Sequence, residues 1–373
     1  MLVNYRRILH QTISTLGKTM DIDFSEINYL KDPVWHDLHA DYEQFILSMT
    51  GPTVIDITGK DHKKYRVFTT LLHGNEPSGV IAIHRYLTEI ADHKQPTTNL
   101  RFIICSVEAA AFRPLFSMRY LDGGMDINRC FGKRYSYKFI EEHEGYYQRA
   151  LLIERAIREV NPEMVIDLHN ASSPGPTFAI SSVVTTETLS LASLFCRTLI
   201  LSDLTMNSIM EQDFNCPFIT IECGCCYDEQ AHEIAFSGIN QVSLCDGIGY
   251  IHQEKQVEVI YRPLRLQLAQ NTKLSYAQHD EGNSGVTLKE NIEYFNFGSA
   301  HQDEMLGWID GKGLDNLQLI DNSGKNILEE YFYARNNQLV CRHNLRLFKA
   351  TSNKATAIND CLFYVVKLNP AEI

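Results

Sequence analysis

From residue 53 the chain alternates short apolar runs with stretches of helical spacing, and this alternation narrows the folds open to it more than any single motif does. "TVIDITG" and "YRVFTTLLHG" read as strands. "GVIAIHRYLTEIADH" then carries Val80, Ile83, Leu87 and Ile90 at helical intervals. "NLRFIICSV" is almost wholly apolar, as expected of a strand covered on both faces. A long helical stretch, "FIEEHEGYYQRALLIERAIREVN", is stopped by Pro162. "MVIDLHNA", "TFAISSVV", a helix near 187–200 and "CPFITIECG" complete the series. Strands and helices in turn predict an α/β fold, with a mixed, largely parallel sheet flanked by helices. Ligands of such sheets gather at the carboxyl ends of the strands.

The helical spacing stops near residue 254. "VEVIYRPLRLQLAQ", "NLRLFKAT" and "CLFYVVKL" alternate like half-buried strands, with turns at "DEGNSG", "DGKG" and "DNSG". The expected organisation is therefore a polar, mostly helical N-terminal extension over 1–50, the α/β domain over 51–254, and a smaller β-rich C-terminal domain over 255–373.

Charge excludes some partners. Acidic residues number 46 against 34 basic ones, and no basic cluster of five occurs. That argues against nucleic acid and anionic membrane surfaces. Ten cysteines follow no repeating frame, which suits a reduced intracellular chain better than a disulfide scaffold. The start, "MLVNYRRILHQTISTLGKTM", lacks a continuous apolar stretch and reads as mature sequence. No run approaches the roughly 20 apolar residues of a membrane span. A cytoplasmic protein is expected.

His73 and Glu76 stand just past a strand end in "LLHGNEPSGV", and His169 ends "VIDLH". Two imidazoles and one carboxylate from strand ends match the three-ligand set of a catalytic zinc, with one position left for water. Gly74 lets the loop fold tightly enough to bring positions three apart onto one ion. The plain alternative is chance, since fourteen histidines yield about one H-x-x-E pair. A second such pair, His301–Glu304, sits in the polar "SAHQDEM" with no buried strand before it, and is expected to be solvated surface.

Glu222 ends the apolar "PFITIE". A carboxyl there is either a base placed to take a proton from metal-bound water or a solvated strand end. "GMDINRCFG" offers Asp126 to orient a ligand histidine, and Asn128 with Arg129 to grip a substrate carboxylate. The bland outcome there is an Asp126–Arg129 loop ion pair. Arg119 can polarise a scissile carbonyl, and Arg113 competes for that role. Cys223 and Cys226 form a C-x-x-C with no second copy, so buried small thiols are expected rather than redox chemistry. His84, within the helical "GVIAIHRYL", is expected to be a helix-face residue.

Four segments in order, "HGNEPSG", "DINR", "DLH" and "ECG", resemble the succinylglutamate desuccinylase/aspartoacylase family, relatives of the zinc carboxypeptidases. The resemblance covers roughly 53–250. It implies a zinc-carboxypeptidase-like fold and one zinc ion on His73, Glu76 and His169. It also implies Glu222 as general base and then acid, Asp126 behind His73, Asn128 and Arg129 on the substrate carboxylate, and Arg119 near the carbonyl oxygen. The implied activity is hydrolysis of the amide bond in a small N-acyl amino acid or N-acyl amine. The partners are then that small substrate, with no nucleic acid and no membrane; a homo-oligomer is compatible with the sequence. Two other readings remain, a metallocarboxypeptidase acting on peptide C-termini and a zinc-binding module without turnover.

Overall fold

The computed structural model describes residues 10–15, 18–34, 38–39, 41–89, 95–132, 143–171, 173–250, 256–359 and 361–368. Residues 1–9, 90–94 and 139–142, parts of the expected helical stretches and of the chain start, lie outside them. The chain divides into two compact units. The first comprises the described residues of Met1–Asn170, Thr177–Leu199 and Thr205–Glu258, and the second those of Ala171–Pro176, Ile200–Leu204 and Val259–Ile373.

The first unit opens with an antiparallel pair, β1 (His10–Thr15) and β2 (Lys18–Asp23), followed by β3 (Asn28–Lys31) and one short helix, α1 (Tyr42–Ser48). This corrects the expectation of a mostly helical extension. Met20 and Ile22 alternate with Thr19, Asp21 and Asp23 at a period of two, and cross-strand pairing decides such a segment in favour of strand.

The strands that follow are β4 (Thr53–Ile57), β5 (Asp61–Thr70), β6 (Thr98–Ile104), β7 (Met164–Ala171), β8 (Phe178–Ser181), β9 (Thr198–Leu201) and β10 (Phe218–Cys225). The helices among them are α2 (Ser78–Thr88), α3 (Val107–Ala110), α4 (Glu144–Arg158), α5 (Thr186–Ser193) and α6 (Glu229–Leu244). The expected helix near 187–200 thus ends at Ser193, and "TLIL" becomes β9. A four-residue apolar run carries no periodicity that separates strand from helix, so sheet pairing decides it.

Within the first unit the sheet runs β9-β8-β10-β7-β5-β6-β4-β3. β5 is parallel to both β6 and β7, whereas β4–β6 and β8–β10 are antiparallel, which makes it mixed. β6 and β7 are buried along their whole length, as strands covered on both faces must be. Val54, Val67, Ile103 and Val165 of the sheet pack with Ile153 and Ile157 of α4 in one cluster. α2 and α6 pack against each other. The Val165 N–H donates to Pro217 O at 3.0 Å at one end, and Asn170 Nδ2 to Gly224 O at 3.0 Å at the other. β7 and β10 therefore run in the same direction. The carboxyl ends of β5, β7 and β10 meet at one edge of the sheet.

The second unit holds two five-stranded sheets. One orders Ser299–Ala300, Leu345–Phe348, Phe363–Lys367, Leu264–Leu268 and Leu317–Leu319; the other orders Leu274–Ala277, Val286–Lys289, Met305–Ile309, Gln338–Cys341 and Phe332–Arg335. "VEVIYRPLRLQLAQ" is split at Arg262–Pro263, where Arg262 has φ of 50°. Leu266, Leu288, Phe332, Leu345 and Phe363 share its core. No helix among the described residues is long and apolar enough to cross a membrane.

Gly74 owes its identity to close approach. A Cβ there would lie 2.7 Å from Ala109 Cβ, Ala110 N and Met118 O, and the Gly74 N–H donates to Arg119 O at 2.9 Å. Its φ is not in the left-handed region, so space rather than conformational freedom selects glycine. Gly74→Ala is expected to destabilise the protein by about 1–3 kcal/mol, the usual range for overpacking. A thermal or urea melt unchanged from wild type would show that the loop tolerates the methyl group.

Candidate metal centre

β5 ends at Thr70 and the chain turns through Leu71 (φ 53°) into the loop that carries His73 and Glu76. In the parallel register Thr70 faces Leu168, so His169 emerges beside that loop. His73, Glu76 and His169 are all buried, and their ligand atoms lie within 4.8 Å of one another. Among the described residues this is the one such group of metal-binding side chains.

Both imidazoles present Nδ1 to the same carboxylate. His169 Nδ1 is 2.6 Å from Glu76 Oε2, and His73 Nδ1 is 2.9 Å from Glu76 Oε1. The second contact lacks hydrogen-bond geometry, so His73 Nδ1 is a buried polar atom with no hydrogen-bond partner. Such an atom is expensive unless something else binds its lone pair.

The far nitrogens are held by acids. His73 Nε2 is 3.0 Å from Asp126 Oδ1, and His169 Nε2 is 2.7 Å from Asp167 Oδ2. Arg119 Nη2 also lies 2.7 Å from His73 Nε2. A guanidinium only donates and a carboxylate only accepts, so one protonation state of that nitrogen cannot serve both. The tautomer with the proton on Nε2 serves Asp126 and leaves the Nδ1 lone pair on the Glu76 side. Carboxylates behind both imidazoles fix orientation and raise basicity, as they do for metal-ligating histidines. On the donor set and on the orphaned His73 nitrogen, the residues fit a zinc ion.

Electrostatics agree with a site for positive charge. Burial pushes the Glu76 carboxyl up, but His73 and His169 outweigh it and hold it well below the usual range. Burial likewise acts on Asp126, and His73 and Arg119 overcome it to hold that carboxyl low. For His169 burial favours the neutral ring, yet Asp167 and Glu76 raise it well above an ordinary histidine. Whether proton or metal ion, a cation among these carboxylates is stabilised.

Asp126 caps the turn Ile127–Arg129 by accepting from Asn128 N at 2.8 Å. Its Oδ2 accepts from Arg119 Nε at 3.3 Å and Nη2 at 3.1 Å, and Arg119 Nη1 reaches Glu76 Oε1 at 3.2 Å. Arg113 is exposed, and no contact of it with these groups occurs among the described residues. The structure thus brings Arg119, not Arg113, to the cluster. Asn128 Oδ1 accepts from Ile209 N at 2.9 Å, which leaves the Nδ2 end as the donor for another acceptor. Arg129 Nη1 donates to Asn128 O at 2.9 Å, and an Asp126–Arg129 ion pair is not among those of the described residues.

Glu222 is buried near the end of β10, opposite Phe178 of β8 and at the same sheet edge as His169. Burial, then the Glu222 charge, pushes the Cys223 thiol well up, and burial brings Cys226 up to about 11. Protonated thiols of that kind are poor redox nucleophiles. His84 is buried on α2 with Nε2 2.7 Å from His39 O. In the second unit His301 is exposed and Glu304 pairs with Lys289 at 3.6 Å.

Sequence reasoning missed Asp167 and Thr69, whose Oγ1 donates to Asp167 Oδ1 at 2.6 Å. The signal for Asp167 was there: positions 167 and 169 of a strand share a face. Thr69 carried no local signal.

Residues 68–235 match the family model of the succinylglutamate desuccinylase/aspartoacylase catalytic domain. Succinylglutamate desuccinylase from Vibrio parahaemolyticus superposes with a TM-score of 0.56 at 13% identity, over 88% of this chain and 94% of that one. The Vibrio cholerae protein of the same name gives 0.53 at 14% identity, over 89% and 96%. A succinylglutamate desuccinylase/aspartoacylase from Rhodobacter sphaeroides gives 0.51 at 12%, over 85% and 89%. No curated protein matches by sequence. At such identities the structures speak for the fold, while the matched segment holds His73, Glu76, Asp126, His169 and Glu222. The chain is thus similar to the succinylglutamate desuccinylase/aspartoacylase catalytic domain over residues 68–235, and shares the fold of these desuccinylases.

Proposed function

We propose that this protein is a zinc-dependent deacylase that hydrolyses the amide bond of a small N-acyl amino acid or related N-acyl amine. The observation that carries the reading is the buried cluster of His73, Glu76 and His169, with an acid behind each imidazole. His73 Nδ1, His169 Nδ1 and the Glu76 carboxylate would hold the zinc. When bound, zinc supplies a Lewis acid that lowers the pKa of a water to about 7.

The chain's own residues then do the following. Glu222 takes the proton of the attacking water on its carboxylate and returns it to the leaving nitrogen. Arg119 donates to the carbonyl oxygen as negative charge gathers there. Asp126 touches both His73 and Arg119 and orients the two together. Asn128 Nδ2 and the Arg129 guanidinium take the substrate carboxylate, the planar fork giving direction as well as charge. The products are a carboxylic acid and a free amino acid or amine. The ten cysteines, none in a disulfide, support a reducing, cytoplasmic setting.

The test is a screen of N-acyl amino acids against the zinc-loaded protein, with metal content measured alongside and C-terminal dipeptides as the comparison set. Hydrolysis of N-acyl amino acids at one zinc per chain is expected. Turnover confined to dipeptides would replace this reading with a carboxypeptidase.

A further inference from the structure

Asn170 follows His169 and points its side chain away from the imidazole, as alternation along β7 requires. It is buried, and its polar atoms join three separate segments. Its backbone N–H reaches Glu76 Oε2 at 3.3 Å. Its Oδ1 accepts from the Ser78 N–H at 2.9 Å. Its Nδ2 donates to Ser78 Oγ at 2.7 Å and to the Gly224 carbonyl at 3.0 Å.

Each bond has a local cause. α2 begins at Ser78, and its N-cap, Pro77, offers no side-chain acceptor. The free N–H groups of a helix start need one, and Asn170 supplies it from the neighbouring strand. Ser78 Oγ accepts from Asn170, so its own proton is available to His232 Nδ1, 2.8 Å away on α6. Gly224, two residues beyond Glu222, has φ of 126°, where an L side chain is strained. It is the carbonyl of this glycine, near the end of β10, that meets Asn170.

We propose that Asn170 is a positioning residue that sets the spacing between the Glu76 carboxylate and the Glu222 end of β10, with Ser78 and His232 as its outer anchor. The proposal rests on the deacylase reading above. A side chain that merely capped α2 would need only its oxygen. Here the Nδ2 donor is also committed, one bond going to the strand that carries the base, and the same residue's N–H goes to the ligand carboxylate. Groups behind metal ligands typically change affinity or activity ten- to a hundredfold, roughly, when removed.

The experiment compares wild type with Asn170→Ala, Asn170→Asp and Ser78→Ala. Zinc affinity is read by competition with a chromophoric chelator, kcat and KM with an N-acyl amino acid, and folding by thermal melting. Asn170→Ala is expected to weaken zinc roughly ten- to a hundredfold and to lower kcat, with KM near wild type because no substrate contact is lost. Asn170→Asp retains the oxygen that caps α2 but turns its second oxygen toward the Gly224 carbonyl, so kcat should stay low although the cap survives. Ser78→Ala should fall between the two.

A lowered melting temperature with wild-type zinc affinity and kcat in Asn170→Ala would reduce the residue to a structural one and overturn the proposal. If that variant does not fold, wild-type kcat in Asn170→Asp overturns it equally. A wild-type protein that neither binds zinc nor hydrolyses N-acyl amino acids would sink the deacylase reading and this proposal with it. An active wild type with unaffected variants sinks this proposal alone.

Discussion

Glu222→Gln is expected to lower kcat by roughly 10²- to 10⁴-fold, the span ascribed to general acid–base catalysis, while the protein keeps its zinc. The substitution is nearly isosteric, so the buried end of β10 and its pairing with Phe178 should persist. What would be lost is the proton transfer proposed for Glu222, from water to the leaving nitrogen. Glutamine has no such capacity at any working pH. KM should change little, because the assigned substrate grips, Asn128 and Arg129, are untouched. The measurement is steady-state kinetics beside metal analysis on the same preparation. Wild-type turnover in a zinc-replete Gln variant would remove Glu222 from the reaction and require another base.

Glu76→Ala should strike the metal instead. Among the described residues Glu76 is the one carboxylate that faces both imidazoles, at 2.6 Å and 2.9 Å. It also receives Arg119 Nη1 and the Asn170 N–H. Its removal would take away one of the three proposed ligands and the negative charge that balances them. The loss of zinc affinity should exceed the roughly ten- to hundredfold typical of a partner behind a ligand. Activity should vanish at ordinary zinc levels. Chelator competition and metal content of the purified variant read this directly. A variant that still carries one tightly held zinc per chain would show that the ion binds elsewhere and end the assignment.

The two variants separate what the same cluster does. One is expected to leave a loaded protein that cannot move a proton. The other is expected to leave a proton acceptor without the Lewis acid. If both lose activity and zinc together, burial of Glu222 matters for the metal as well, and the division of labour proposed above is wrong.

Local patterns carried much of this molecule. The runs at β4 to β8 and β10 were legible because consecutive apolar residues between turn signals mark strands buried on both faces. His73, Glu76 and His169 were legible for the same reason, since a polar group just past such a strand has little reason to be there except chemistry. Asp126 followed from its place in "DINR". Where periodicity was weak, reading along the chain failed. The hairpin at 10–23 looked helical because cross-strand pairing, not a clear period, decides it, and "TLIL" was absorbed into a helix because its neighbours in the sheet lie elsewhere in the sequence.

By itself, then, the sequence determined the strands β4 to β8 and β10, the identity of the three clustered side chains and the acid behind the first. Only the tertiary structure decided that Arg119 rather than Arg113 reaches the cluster, that Asp167 backs the second imidazole, and that Asn170 ties the Glu76 loop to the end of β10. The physical reason is range. Strand and helix periodicity, and a motif's residue types, are properties of neighbours along the chain. A hydrogen bond between residues 54 or 92 positions apart exists only once parallel strands have brought their ends together.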